Sequence, residues 1–394
     1  MRQPTMPIRS PFESSIAKPG QGTVVLSLLP PNNPTLTTLT YKYPLKLVPR
    51  APGFIPEPDP ASLSDKCPSM PVHLYLLTYG GGLLPGDHIE VSIKLDPRTR
   101  MVVTTPQGST KIFKTDSNAD SNFNVIKGHR KKVPANESIS DMSQQSLDVK
   151  IGRQAALCYL PDPSVPYKDS RYAQVQTFTV DAAAKGDQRS SLCVLDWVTQ
   201  GRTSRGENWN FRFWKGRNEV WATDEKTGKS RLLLRDSVIL DDESEAIDAD
   251  DDEDLDAGSV GGLNSHSIRA ETPPPQAGLV PLNVIQERTR PHGVVGTLIL
   301  SGPVFDSLGA YFLHQFTSQP RIGSRNWSSD SSAPEPSLST KGDVTWTAAR
   351  VRAGFVLVKF GAKDFETAKV WLGGLLREEG SITREFGEEA LFCL

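Results

Sequence analysis

Seven charged residues sit inside Gly-rich or strand-like surroundings: Asp87, Lys111, Asp162, Asp169, Arg171, Arg202 and Glu207. Taken singly, each reads as an ion pair or turn cap that holds a loop between strands. Taken as a group, their carboxylates could hand on a divalent cation through weak, exchangeable oxygen contacts, where Cys or paired His would trap it. Paired carboxylates such as Asp162 and Asp169 also admit a hydrolase, provided that they face one another across an open cleft. A generic β interaction protein is a third reading.

Other chemistries find less support. Gly80, Gly81, Gly82 and Gly86 form the run GGGLLPGD, but a phosphate loop needs Lys-Ser or Lys-Thr after its last glycine and a helix behind it. Here the next element reads as a strand. Pro106–Lys111 (PQGSTK) has the order reversed, and no helix follows. The glycines read instead as sharp turns or close backbone approaches. There is no GxSxG elbow, and Cys67, Cys158, Cys193 and Cys393 lie in no nucleophile or CxxC pattern. The histidines at 73, 88, 129, 266, 292 and 314 are far apart, so the sequence predicts no tight preformed metal site, no catalytic residue and no permanently bound cofactor.

The elements that must position these residues are mostly strands. Gly22–Leu29 and Leu39–Val48 carry β alternation, and Val72–Thr78 reads as a buried strand running into the glycines. Ile89–Leu95 alternates as IEVSIKL, Asp96–Thr99 supplies turn residues, and Met101–Thr105 reads as the returning strand. Asp-Pro favours a type I turn, so this pair is predicted to be a hairpin. Further β pattern recurs from Ala155 to Leu240. Two helices stand out late in the chain: Val304–Thr317, and Phe365–Glu378 with Asp364 as N-cap. Without βαβ alternation, a doubly wound nucleotide fold is excluded. The fold class expected is mainly β, with two α-helices towards the C terminus.

Composition accounts for the rest. Hydrophobic residues make up 37% of the 394, with 31 Gly and 31 Pro, which fits a folded body diluted by polar segments. Residues 115–147, 241–292 and 320–342 read as polar or acidic inserts, and 1–21 as a Pro- and Ser-rich disordered segment. The net charge of -2 conceals an asymmetry, because residues 241–256 hold eleven of the 46 acidic groups and no basic one. The remainder sets 44 basic groups against 35 acidic, so the body is cationic. Sparse cysteines, an N-terminal MRQPTMPIRSPFESS without an apolar core and no apolar run of membrane-spanning length predict the cytoplasm. No nucleic acid or membrane partner is indicated.

The run Tyr75–Ile89 followed by Met101–Phe113 resembles the hallmark of the UreD/UreH urease accessory family, a "GGLxGGD" turn leading to "LLTTxxATKxY". Leu157–Asp162 (LCYLPD) is similar to that family's "LEWLPQ", and Gly201–Glu207 (GRTSRGE) to its "GRxAxGE". The strand Phe355–Gly361 and the helix after it resemble the closing elements. Matches run in order from about residue 22 to 378, in one UreD-like domain. The chain departs at Pro85 for Gly, Ser109 for Ala and Asp162 for Gln, and its inserts look fungal or plant-type. The resemblance implies a β-helix-like stack of strands and a non-catalytic scaffold. It also implies complexes with UreF, UreG and apo-urease, and nickel in transit towards the urease active site. On that view Asp87, Asp162 and Glu207 are the first candidates for passage or interface carboxylates, with Lys111, Asp169, Arg171 and Arg202 beside them.

Overall fold

Alternating residues build the fold in turns. A computed structural model describes residues 18–50, 69–105, 110–114, 142–224, 227–242, 283–319 and 343–394. The chain opens with β1 (Gln21–Leu29), β2 (Asn33–Tyr41) and β3 (Leu45–Arg50). It then makes three successive turns of three strands each. These are β4 (Val72–Thr78), β5 (Gly82–Leu83) and β6 (His88–Leu95); β7 (Arg100–Thr104), β8 (Lys111–Ile112) and β9 (Ser143–Ile151); and β10 (Ala156–Tyr159), β11 (Val165–Pro166) and β12 (Arg171–Asp181). Each strand lies parallel beside its counterpart in the previous turn.

A further half-turn adds β13 (Ser191–Thr199) and β14 (Phe213–Thr223), followed by β15 (Ser230–Asp241) and the short α1 (Val284–Thr289). The chain closes with β16 (Val294–Ser301), α2 (Asp306–Thr317), β17 (Val344–Arg350), β18 (Val356–Ala362), α3 (Phe365–Glu379) and α4 (Ser381–Phe386). Three sheets result. The first is ordered β15-β14-β12-β9-β6-β1-β2, the second β17-β18-β16-β13-β10-β7-β4-β3 and the third β11-β8-β5. The expectation of a mainly β chain with late helices holds.

Two apolar layers flank the second sheet. Its inner face meets the first sheet through Leu74, Met101, Leu157, Val24, Val91 and Phe178, among others. Its outer face carries Cys158, Leu195 and Trp197, covered by Phe312 of α2, Leu372 and Leu376 of α3 and Phe386 of α4. All nine residues of β13 are buried, because this strand is covered on both sides.

Several expectations change. β6 and β7 are not a hairpin: they lie in different sheets, and Asp96–Thr99 carries the chain from one to the other. The turn itself is real, with the Thr99 N–H donating to the Asp96 carbonyl at 3.3 Å. Arg98 has φ +64° at its second central position, the type II geometry rather than type I. The segment read as an insert over 115–147 ends earlier, since β9 starts at Ser143, and the one over 241–292 contains α1. Alternating Gln, Ser and Asp had disguised β9 as polar surface. The two short helices carry too few residues for an apolar period; α1 is marked instead by a capping box between Asn283 and Gln286. The span 320–342 lies outside the described residues.

β2 holds an irregularity. Val25 pairs with Thr38 and Leu26 with Leu36, so Thr37 is an extra residue whose hydroxyl donates to the Val25 carbonyl at 3.3 Å. This bulge lets Leu36 and Leu39, three residues apart, both pack on the core.

Candidate functional site

The glycine run resolves into two devices. Gly82 is extended, and a Cβ there would lie 2.6 Å from the Lys111 carbonyl oxygen and 2.7 Å from the Phe113 ring, so only glycine lets β5 approach β8. Leu84–Asp87 is a type II turn with Pro85 at its first central position and Gly86, at φ +80°, at its second. The Asp87 carboxylate accepts the Leu84 N–H at 2.8 Å, and its own N–H returns to the Leu84 carbonyl at 3.0 Å. Asp87 therefore closes this turn, and neither of the two cavities below includes it.

The loop between β13 and β14 is held by an ion pair. The Arg202 guanidinium grips both Glu207 carboxylate oxygens, and the Arg202 N–H donates to Oε2 at 2.8 Å. Glu207 is 8% exposed. Burial works against its charge, but the Arg202 guanidinium and backbone N–H groups outweigh it and draw its pKa below the usual carboxylate range. The Arg202 guanidinium carbon also sits over the Tyr167 ring, 3.7 Å from its centroid. Asp169, at φ +62°, accepts from Arg212 at 3.3 Å, and Arg171 opens β12.

Lys111, Asp162 and Arg202 come together. They line a cleft of about 720 Å³ with Pro163, Val165, Thr199–Ser204, Val294, Phe392 and residues at the start of α3. Asp364 caps that helix as expected, accepting the Thr367 N–H at 2.8 Å. Asp162 faces the Cys393 thiol; burial, with that carboxylate beside it, pushes the thiol up to about 12. Asp169 is not in this cleft, so Asp162 and Asp169 do not form the facing pair that a hydrolase would need.

A second constellation carries no motif. Between the first and second sheets, Asp196 of β13 accepts from the Gln174 amide at 3.0 Å and the Asn218 amide at 2.8 Å. Gln174 in turn accepts from the Tyr172 hydroxyl at 3.1 Å. Asp196 and Lys359 both pair with Thr297 across the second sheet, and Asn218 pairs with Asp236 across the first. The row ends in a Lys359–Asp236 ion pair at 2.6 Å, beside a cavity of about 240 Å³ that Thr297 and Lys359 line. Burial, reinforced by the Asp236 charge, pushes the Asp196 carboxyl up to about 6 against its amide hydrogen bonds and Lys359. Both amide atoms of the buried Gln176, and Oδ1 of Asn218, make no hydrogen bond among the described residues. The signal for this seam was the alternation Tyr172-x-Gln174-x-Gln176-x-Phe178; which face of β12 points inward was not legible.

Among the described residues no three His, Cys, Asp or Glu side chains converge as a metal site, and no helix is long and apolar enough to cross a membrane. The arrangement thus offers a mixed-charge cleft, and an internal row of oxygen and amide groups reaching the surface at an ion pair.

Comparison with known proteins gives a consistent result. A family model described as UreD urease accessory protein matches residues 20–268. An uncharacterized ureD-like urease accessory protein of Schizosaccharomyces pombe is 26% identical over 308 residues, covering 78% of this chain and 82% of that protein. Urease accessory protein 4 of Cryptococcus neoformans is 26% identical over 303 residues, covering 75% of this chain and 74% of that one. Urease accessory protein D of Oryza sativa subsp. indica is 32% identical over 209 residues, 53% of each chain.

Proposed function

This chain belongs to the UreD urease accessory protein family, and from that premise we propose that it is a maturation scaffold that binds apo-urease with UreF and UreG and helps deliver nickel to the urease active site. The role is that of an accessory protein and not of an enzyme. The observation that carries the finer reading is the polar seam around Asp196. Its donors are carboxylate, amide and hydroxyl groups presented one after another. Such ligands bind a borderline divalent cation weakly enough to release it.

The seam supports a passage better than the turn at Asp87 or the ion pair at Glu207 does. Those two carboxylates already hold backbone in place. GTP hydrolysis would fall to UreG, in keeping with the lack of a phosphate-loop motif in this sequence. The cytoplasm remains the compartment proposed.

Deletion of the gene should leave urease protein present but inactive; normal urease activity in a clean deletion strain overturns the reading. Asp196→Ala should lower urease activation while the complexes still form. Full activation by that variant would leave the scaffold standing and remove the seam from the route.

A further inference from the structure

The polar seam sets two carboxylates against one ammonium. Asp196 of β13 and Asp236 of β15 lie close enough for the Asp236 charge to act on Asp196, and Lys359 acts on both. Asn218 stands between the two carboxylates. Its Nδ2 donates to Asp196 at 2.8 Å, and it pairs with Asp236 across the first sheet. The Oδ1 of that same amide is buried and makes no hydrogen bond among the described residues. The same is true of both amide atoms of Gln176, the next residue in the row on β12. With both carboxylates ionised, the row holds an excess of negative charge and two amide oxygens without a donor. Such a set of oxygens suits a divalent cation.

A divalent cation can settle here only if another charge leaves. Its two positive charges neutralise Asp196 and Asp236 outright, which makes the Lys359 ammonium the surplus. Lys359 is placed to withdraw. It reaches Asp236 on a flexible four-carbon stem, and its side chain is 48% exposed against 11% for its partner. It also lines the cavity of about 240 Å³, which gives the ammonium somewhere to go. An arginine would instead grip the carboxylate with a planar fork. Arg288 lies on the wall of the same cavity and is exposed, while burial favours the neutral form of His292 beside it. Free cations are therefore repelled at that end, and the cargo meets Lys359 from the inner side, past Gln176.

We propose that Lys359 is the displaceable counter-ion of the passage. A divalent cation moving along the seam takes its place between Asp236 and Asp196, with Asn218 Oδ1 as a further ligand. The ammonium swings out into the cavity and returns when the cation moves on. This role rests on the passage reading above.

The test uses the purified full chain and nickel(II) alone. Amine acetylation, read by mass spectrometry, should find Lys359 protected in the metal-free chain and reactive once nickel is bound. Lys94, paired with Asp96 at 3.0 Å on another part of the sheet, should react equally in both. In equilibrium dialysis Lys359→Met should bind nickel about tenfold more tightly than wild type, because no ion pair has to be broken first. Asp236→Asn should lose that equivalent of nickel. Lys359 reactivity that nickel leaves unchanged, or wild-type affinity in Lys359→Met, overturns the counter-ion role; the passage reading survives if Asp196→Ala still lowers activation. Wild-type nickel binding and full activation by Asp196→Ala sink the passage and the counter-ion together.

Discussion

The two ends of the strand stack solve the problem of burial differently. At one end the inward face of β6 is Ile89, Val91, Ile93 and Leu95, all buried and all apolar. Two strands away in the same sheet, the inward face of β12 is Tyr172, Gln174, Gln176 and Phe178, with Gly216 and Asn218 beside it on β14. The first end gains stability from each residue it buries. The second takes amides and a carboxylate out of water and must find them partners, at roughly 1–3 kcal/mol for each group left unpaired. A chain keeps such groups for something other than stability, so the polar end is where function is to be sought.

That contrast can be broken or sharpened by mutation. The largest effect is expected at the apolar end, where Ile93→Ala should cost about 2–5 kcal/mol of unfolding free energy in urea titration, through lost transfer and a residual cavity. At the polar end the buried Asp196 carboxyl, at about 6, titrates above its ordinary value of 3.8, so folding favours its neutral form. Its contribution is therefore fully present below about pH 4 and lost as pH rises through about 6, on the order of 3 kcal/mol. Asp196→Asn should grow more stable relative to wild type across that window, measured by thermal unfolding at pH 4 to 7. A constant difference would mean that the seam carries no such conflict.

Glu207→Gln should cost about 1.5–3 kcal/mol at pH 7 by undoing charged hydrogen bonds to Arg202 and its N–H. The wild-type contribution has the opposite pH sense to that of Asp196: with its pKa depressed, it is present at neutral pH and lost as pH falls through the folded value. The smallest loss, about 1 kcal/mol in thermal unfolding, is expected for Asp364→Ala at the α3 cap.

Sequence pattern reached some of this and not the rest. The cap at Asp364, the helix it starts and the buried face of IEVSIKL were readable because each depends on neighbours within a few residues. The pairing of β6 was not, because a turn signal at Asp96–Thr99 looks the same whether the chain folds back or moves on to another sheet. Lys111, Asp162 and Arg202 were singled out as residue types in the right surroundings, but their meeting in one cleft depends on three separate turns of the stack. Asp196 sits in a nearly continuous apolar run, SLCVLDWVT, where only the structure reveals the amides awaiting it.

The bulge at Thr37 has a consequence for how the molecule behaves in a crowd. β2 is an edge strand of nine residues without a single charged side chain, the kind of rim on which a second chain could add its own strand and start a polymer. One extra residue kinks that rim and turns both leucines away from any newcomer. Deleting Thr37 would leave Leu36 and Leu39 two residues apart and still facing the core, but it would straighten the edge into a regular, uncharged rim open to pairing. Light scattering should then report concentration-dependent self-association that the natural chain resists.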